Sequence, residues 1–224
     1  MRSALSRSSD LDSLPPQIVV SRAVHTPVKH FTPPLPEPLS LASGEPLFSA
    51  GDPAAGLYEV REGAIMVLRR LPGDRRQILD IAGVGRVIGF GANRRHDCDA
   101  IALGRVSVAP ASAGRVDAGA AMLAEIERLR DLATLLGRKT ALERVASFLV
   151  GMIAEDRESI RHQIALPVSR KEIADYLGLV IETVCRNFVA LKKRGVIRPF
   201  GRDGVEILNF DLLRQIATGA AQAN

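Results

Sequence analysis

The chain has 224 residues, 46% of them hydrophobic and 25% charged, a globular composition with length enough for two domains. A net charge of +5 and a pI near 9.7 permit an anionic partner without identifying one. No apolar run reaches the roughly 18 to 20 residues that cross a bilayer, and the opening MRSALSRSSD has no apolar core, so neither a membrane span nor a secretory leader is expected. Cys98 and Cys185 are too far apart for a metal-ligand pattern and too few for a disulfide framework, which fits a reducing cytoplasm.

Residues 1–40 hold seven of the thirteen prolines and predict an extended, partly disordered arm in which His25 and His30 are solvated. From Leu47 the texture changes to short alternating runs: LYEV at 57–60, AIMVLRR at 64–70, RQILDIA at 76–82, RVIGF at 86–90 and AIALGRVSVA at 100–109. Gly51, Gly56, Gly63, Pro72-Gly73-Asp74 and Gly83 fall between them as hairpin turns require, so residues 41–117 predict a β-sandwich or jelly roll. Gly83, Gly85 and Gly89 have the wrong spacing for a dinucleotide fingerprint and are followed by strand-like sequence, so they are turn glycines. Cys98 reads as a small hydrophobe in a strand, and His96 beside it lacks the further ligands a metal would need.

Residues 118–137 predict a long helix in which Met122, Ile126, Leu129, Ala133 and Leu136 recur at spacings of 4, 3, 4 and 3. Such a seam suits either a core helix within one subunit or a pairing of two subunits. The hinge between domains is expected near Gly137, and TALERVASFLVGMIAEDRE begins a second domain over 138–224.

Within that domain, Ser169 to Arg194 predicts two helices joined by a tight turn. Ser169 and Glu172 form a capping-box pattern, Ile173, Ala174 and Leu177 recur at helical spacing, and Gly178 can take the positive φ of a sharp turn. On the second helix, Val184, Phe188 and Leu191 form the buried stripe, leaving Glu182, Cys185 and Arg186 outward near its start. This is a helix-turn-helix pattern, whose second helix reads base edges in the major groove. Glu182 and Arg186, four apart, can read neighbouring base pairs or pair with each other. Lys192, Lys193 and Arg194 suit either DNA phosphates or the helix macrodipole. VIRPF and VEILNF around Gly201–Gly204 predict a hairpin wing, with a short helix from Phe210 to Ala217. From Arg161 to Arg202 there are nine Lys/Arg against three Asp/Glu, a local balance of +6, which favours a polyanion here.

The stretch FSAGDPAAGLYEVREGAIMVLRRLPGDRRQILDIAGVGRVIG, with Gly51, Asp52, Gly56, Tyr58, Val60, Gly63, Ile65 and Gly89 in place, resembles the cyclic-nucleotide-binding jelly roll of the CRP/FNR regulators. The resemblance runs on through the helix-turn-helix, over roughly residues 45 to 210. It implies an α+β fold: an N-terminal jelly roll, a long dimerisation helix using the 122–136 seam, and a C-terminal winged helix-turn-helix. Cyclic-nucleotide sensors of the family carry a Gly-Glu pair and then an Arg-Ser pair around the phosphate; here Phe90 and Cys98-Asp99-Ala100 stand in those places, so cAMP is not expected. The oxygen-sensing branch carries a cysteine cluster for iron and sulfur, and no cysteine precedes Cys98. No cofactor is expected. Glu182-Thr183-Val184-Cys185-Arg186 is similar to the E-x-x-S-R motif of the FNR and FixK branch, with cysteine for serine. By resemblance, Arg186 takes a guanine, Glu182 and Cys185 touch adjacent pairs, and Arg170 and Thr183 meet phosphates, while Lys192 is the residue of the basic helix end offered as a further phosphate contact and Val180 stands where a capping hydroxyl is common.

The expected protein is therefore a homodimeric, cytoplasmic transcription activator, not an enzyme. It binds a TTG-N8-CAA-like palindrome in double-stranded DNA and, by resemblance, recruits RNA polymerase. Cys185, between two base-reading residues, is either a redox switch whose oxidation blocks DNA binding or a small contact in place of serine. The alternatives are an effector-dependent sensor of the same fold and a cupin-type metalloenzyme, which needs more ligands than His96 alone.

Overall fold

A computed structural model describes residues 38–111, 117–155, 163–201 and 204–220. The arm up to residue 37, with His25 and His30, lies outside them, as do Arg161 and Arg202 at the limits of the basic segment. Six strands come first: β1 (Leu39–Leu41), β2 (Pro46–Phe48), β3 (Tyr58–Leu71), β4 (Arg75–Ala82), β5 (Val87–Ile88) and β6 (Asp99–Pro110). They pair antiparallel in the order β1-β6-β3-β4, with β2 also on β6 and β5 also on β3. β1 starts inside the stretch read as arm, because Leu41 is buried opposite Val106 and ties the chain to β6.

The long strands are apolar on both faces. Val60 and Ile65 of β3 enter the roll interior with Phe48, Ala100 and Val106. Ala64, Met66 and Leu68 of β3, with Ile78 and Ile81 of β4, enter a second core shared with the helices. Alternation of period two thus serves two cores rather than a core and solvent.

Gly63 is not the hairpin turn expected. The runs at 57–60 and 64–70 are one strand, and Gly63 sits inside it at φ +75°, within the second of two register shifts opposite β6. A Cβ there would lie 2.4 Å from the Arg105 carbonyl oxygen, so the glycine marks a bulge where two backbones approach.

The rest is α1 (Ala118–Arg138), α2 (Ala141–Glu155), β7 (Gln163–Ala165), α3 (Arg170–Leu177), α4 (Ile181–Lys193), β8 (Ile197–Phe200), β9 (Gly204–Ile207) and α5 (Phe210–Thr218). Strands β7-β9-β8 form the wing sheet, to which β7 is an addition that the sequence pattern did not signal. Asp117 caps α1 by accepting from the Gly119 and Ala120 amides. The helix runs through Gly137 without a break and ends at Arg138, leaving Lys139 and Thr140 between it and α2. There Thr140 and Glu143 exchange the bonds of a capping box, Thr140 N to Glu143 Oε2 at 2.9 Å and Glu143 N to Thr140 Oγ1 at 3.4 Å, which starts α2 afresh. The architecture is the expected α+β one: jelly roll, long helix, winged helix-turn-helix. Among the described residues no helix is long and apolar enough to cross a membrane, and no group of three or more His, Cys, Asp or Glu could hold a metal ion.

His96 is buried at the edge of the roll, stacked on Phe48 with ring centroids 3.7 Å apart, and its Nδ1 has no hydrogen-bond partner. Burial lowers its pKa from the ordinary 6.5, outweighing the opposite pull of Asp52 and Asp97. The unfolded imidazole therefore binds a proton more readily than the folded one, and stability falls as pH drops below about 6.5. His96→Phe keeps the stack and removes the titration. Urea midpoints measured on either side of that pH should vary less in the variant than in the wild type.

Candidate nucleic-acid interface

The helix-turn-helix is built by local chemistry at three points. Ser169 Oγ accepts from Glu172 N at 3.3 Å while Glu172 Oε2 accepts from Ser169 N at 2.7 Å, the reciprocal capping box that starts α3. Gly178 ends it at φ 61° and ψ 40°, the left-handed region where a side chain is strained, and the next amide, Leu179 N, bonds back to Ala174 O at 3.0 Å. Val180 then starts α4 in extended geometry with no side-chain cap.

On α4, Val184, Phe188 and Leu191 are buried against α2 and α3, as the stripe predicts. Glu182, Cys185 and Arg186 are exposed. Among the described residues no ion pair joins Glu182 to Arg186. Arg186 Nη2 instead donates to Thr183 Oγ1 at 3.0 Å, and Asn187 Nδ2 to the Thr183 carbonyl at 2.8 Å. Thr183 thus orients the arginine that is aimed outward. Arg170, at the start of α3, lays its guanidinium over the Phe188 ring at 3.5 Å, which fixes it beside the recognition helix. Lys192 and Lys193 are exposed at the far end of α4.

A shallow groove on the exposed side of α4 is lined by Cys185, Arg186, Val189, Ala190 and Lys193. Val189 was not singled out from the sequence. Its signal was available, because it follows Cys185 by one helical turn and falls outside the buried stripe.

The two cysteines are opposites. Cys98 is buried in the roll, where burial and then Asp97 push its thiol up to about 11, whereas Cys185 is exposed on α4. Asp99 is buried beside Cys98 and accepts from Ala50 N at 2.8 Å and Arg70 Nε at 2.6 Å. The place expected to cradle a cyclic phosphate therefore holds Asp97 and Asp99, paired with Arg69 and Arg70, and a thiol that burial keeps protonated.

On α1, Met122, Ile126 and Leu129 are 50%, 37% and 42% exposed, and Ala133 is exposed as well. Leu136 behaves differently. It is half-buried and its Cδ2 would stand 3.3 Å from a Cβ at Gly178, so it packs on the turn of its own subunit. Leu132 and Leu135, between the seam positions, are the α1 residues buried in the helical core.

An open second helix in a winged helix-turn-helix, carried behind a β roll, defines a DNA-binding transcription regulator. Residues 143–216 match the Crp-like helix-turn-helix domain and residues 38–118 the cyclic nucleotide-binding domain. The chain belongs to the CRP/FNR family of transcription regulators, which act by binding DNA and are not enzymes. It is 40% identical to the nitrogen fixation regulation protein FixK of Bradyrhizobium diazoefficiens over 172 residues, 70% of this chain and 72% of that one. It is 32% identical to the transcriptional activator protein FnrA of Stutzerimonas stutzeri over 199 residues, 82% and 81% of the two chains. The solved structure of FixK2 from Bradyrhizobium japonicum superposes with a TM-score of 0.73 at 32% identity, covering 80% of this chain and 96% of that one.

The uncapped start of α4 is open to repair. Val180 has φ −86° and ψ 150°, the geometry an N-cap serine adopts, and it is 62% exposed. Val180→Ser should stabilise the fold by about 1 kcal/mol, read as a higher urea midpoint with an unchanged m-value.

Proposed function

We propose that this regulator is a cytoplasmic homodimeric activator that reads a TTG-N8-CAA-like palindrome, needs neither cAMP nor an iron-sulfur cluster, and recruits RNA polymerase. One observation carries the reading: Glu182, Cys185 and Arg186 are exposed together on one side of α4 while Val184, Phe188 and Leu191 bury the other. An outward arginine can bond guanine O6 and N7 as a fork, and a glutamate can accept from a cytosine amino group. The likeness of residues 182–186 to the E-x-x-S-R motif supports TTG and CAA half-sites. Activation is supported by the FnrA relative, whose name describes a transcriptional activator.

Pairing is supported by the exposed seam of Met122, Ile126, Leu129 and Ala133, which water leaves without a packing partner. Two recognition helices related by a two-fold axis would face successive major grooves about 34 Å apart, which makes the site an interrupted palindrome. Independence from cAMP is supported by Asp99 and Cys98 in the cradle's place.

Selection from a random DNA pool with purified protein and no additive tests this directly. Recovery of a TTG/CAA palindrome is the expected result; an unrelated or asymmetric motif would sink the reading. Arg186→Ala should weaken binding to the recovered site by about 10- to 100-fold and relax preference at the guanine.

Cys185 supplies regulation in this proposal. The exposed thiol lies against the base-reading surface, with Arg186 and Lys193 beside it in the groove. Oxidation to a sulfinate, a sulfonate or a mixed disulfide places an anion or added bulk where DNA must fit. Peroxide should abolish operator binding by the wild type and leave Cys185→Ser largely unaffected. Equal losses in both proteins would dismiss the switch.

A further inference from the structure

We propose that Arg76 and Gln77, on β4 of the roll, are positioning residues for DNA binding. They latch α3, and through it α4, in the orientation that presents the reading face, so that the roll sets operator affinity through its own side chains. The inference rests on the DNA-binding reading above and adds the part of the molecule that controls it.

Arg76 Nε donates to Asp175 Oδ2 of α3 at 2.6 Å, and its Nη2 lies 3.9 Å from Glu172 Oε1. Gln77 Nε2 donates to the Tyr176 carbonyl at 3.0 Å as well as to the Ile78 carbonyl at 2.9 Å. The side chains of Arg76, Asp175 and Glu172 are each less than a third exposed, so solvent screens this pairing less than one on an open surface. Glu172 also closes the capping box of α3, which couples the latch to the start of the helix. Beneath the polar groups, Met66 and Ile78 of the roll share one apolar core with Ile173 and Leu177 of α3.

The geometry of the hinge gives the latch its purpose. Only Lys139 and Thr140 separate α1 from α2, so the setting of the second domain depends on contacts outside the link: Arg144 close to it, and Arg76 and Gln77 at a distance on the roll. Binding a palindrome demands both recognition helices at one spacing and one angle. A domain that pivots occupies that pose for only part of the time, and its apparent affinity falls by that fraction. The latch is closed while Glu182, Cys185 and Arg186 remain exposed, so it does not block the reading face.

The test uses the full-length protein and the duplex that the wild type selects from a random pool, with affinity read by fluorescence anisotropy. Arg76→Glu and Asp175→Arg should each bind about tenfold more weakly, and the reversed pair in the double variant should restore most of the loss. The slope of log affinity against log salt should not change, because no phosphate contact is removed. The dimer mass in sedimentation should also stay as in the wild type. Wild-type affinity in Arg76→Glu, tighter binding, a loss that the reversed pair leaves unrepaired, or a flattened salt slope would each overturn the latch. If Arg76→Glu does not fold, Gln77→Ala serves, with binding weakened about threefold expected and unchanged binding overturning the proposal. A wild type that enriches no sequence would overturn the DNA reading itself, whereas variants that match a binding wild type overturn the latch alone.

Discussion

One guanidinium holds the ends of two helices together. Arg144 of α2 donates through Nε to the Lys139 carbonyl at 2.9 Å, through Nη2 to Leu136 O at 2.7 Å, and through Nη1 to Leu177 O at 2.9 Å. The acceptors at 136 and 177 are carbonyls of the last turns of α1 and α3, groups that a helix leaves without internal partners. A planar fork of five donors suits this task, and the cation complements the negative ends of both helix dipoles. Lysine could not make three such bonds in a plane. The consequence is spatial: the end of the long helix, the hinge and the helix-turn-helix turn are brought to one point. Gly178 completes the junction, since a Cβ there would meet Leu136 at 3.3 Å and Arg144 at 3.7 Å in a backbone conformation already unfavourable to side chains.

The two faces of the roll have different tasks. Its interior is closed by Phe48, Ile65 and Val106, and the edge where a phosphate would dock is occupied by Asp99 on Arg70 and by a thiol that burial keeps protonated. An incoming anion would have to displace a carboxylate from its own cation. The outer apolar face of β3 and β4 is committed to the helical core. The domain is thereby a shaped support for α1 and α3, since its outer face packs against the helices.

Much of this was legible in the sequence because it depends on neighbours a few residues apart. The capping box at Ser169 and Glu172, the left-handed turn at Gly178 and the stripe of Val184, Phe188 and Leu191 all follow from helical geometry within one or two turns. The outward placement of Glu182, Cys185 and Arg186 follows from the same stripe. What escaped was long-range. Gly63 looks like a turn from either side, and only the approach of Arg105 in a strand some forty residues on shows that it is a bulge. The sequence placed the hinge only as near Gly137, and what marks the break between the two helices is the capping box of Thr140 and Glu143, which starts α2 afresh. Leu136 matched the seam by spacing, but the turn at Gly178 packs against it from a distance in sequence that no period reveals. Arg76 and Asp175, 99 positions apart, carry no local sign of being partners.

The setting of α1 is shared between polar groups near its middle and apolar groups farther along. Near its middle, Arg128 donates to Glu125 Oε2 at 2.6 Å and lies 4.0 Å from Asp80 of the roll, which also accepts from Arg86. Burial pushes the Asp80 carboxyl above its ordinary range against the pull of Arg86 and Arg128, so this cluster is costly to leave unpaired. Farther along, Leu132 and Leu135 turn into the helical core and anchor the helix independently. With two faces of the helix so constrained, Met122, Ile126, Leu129 and Ala133 have only the third face left, and they present it outward. The ionic cluster and the buried leucines together leave that outward seam as a defined surface.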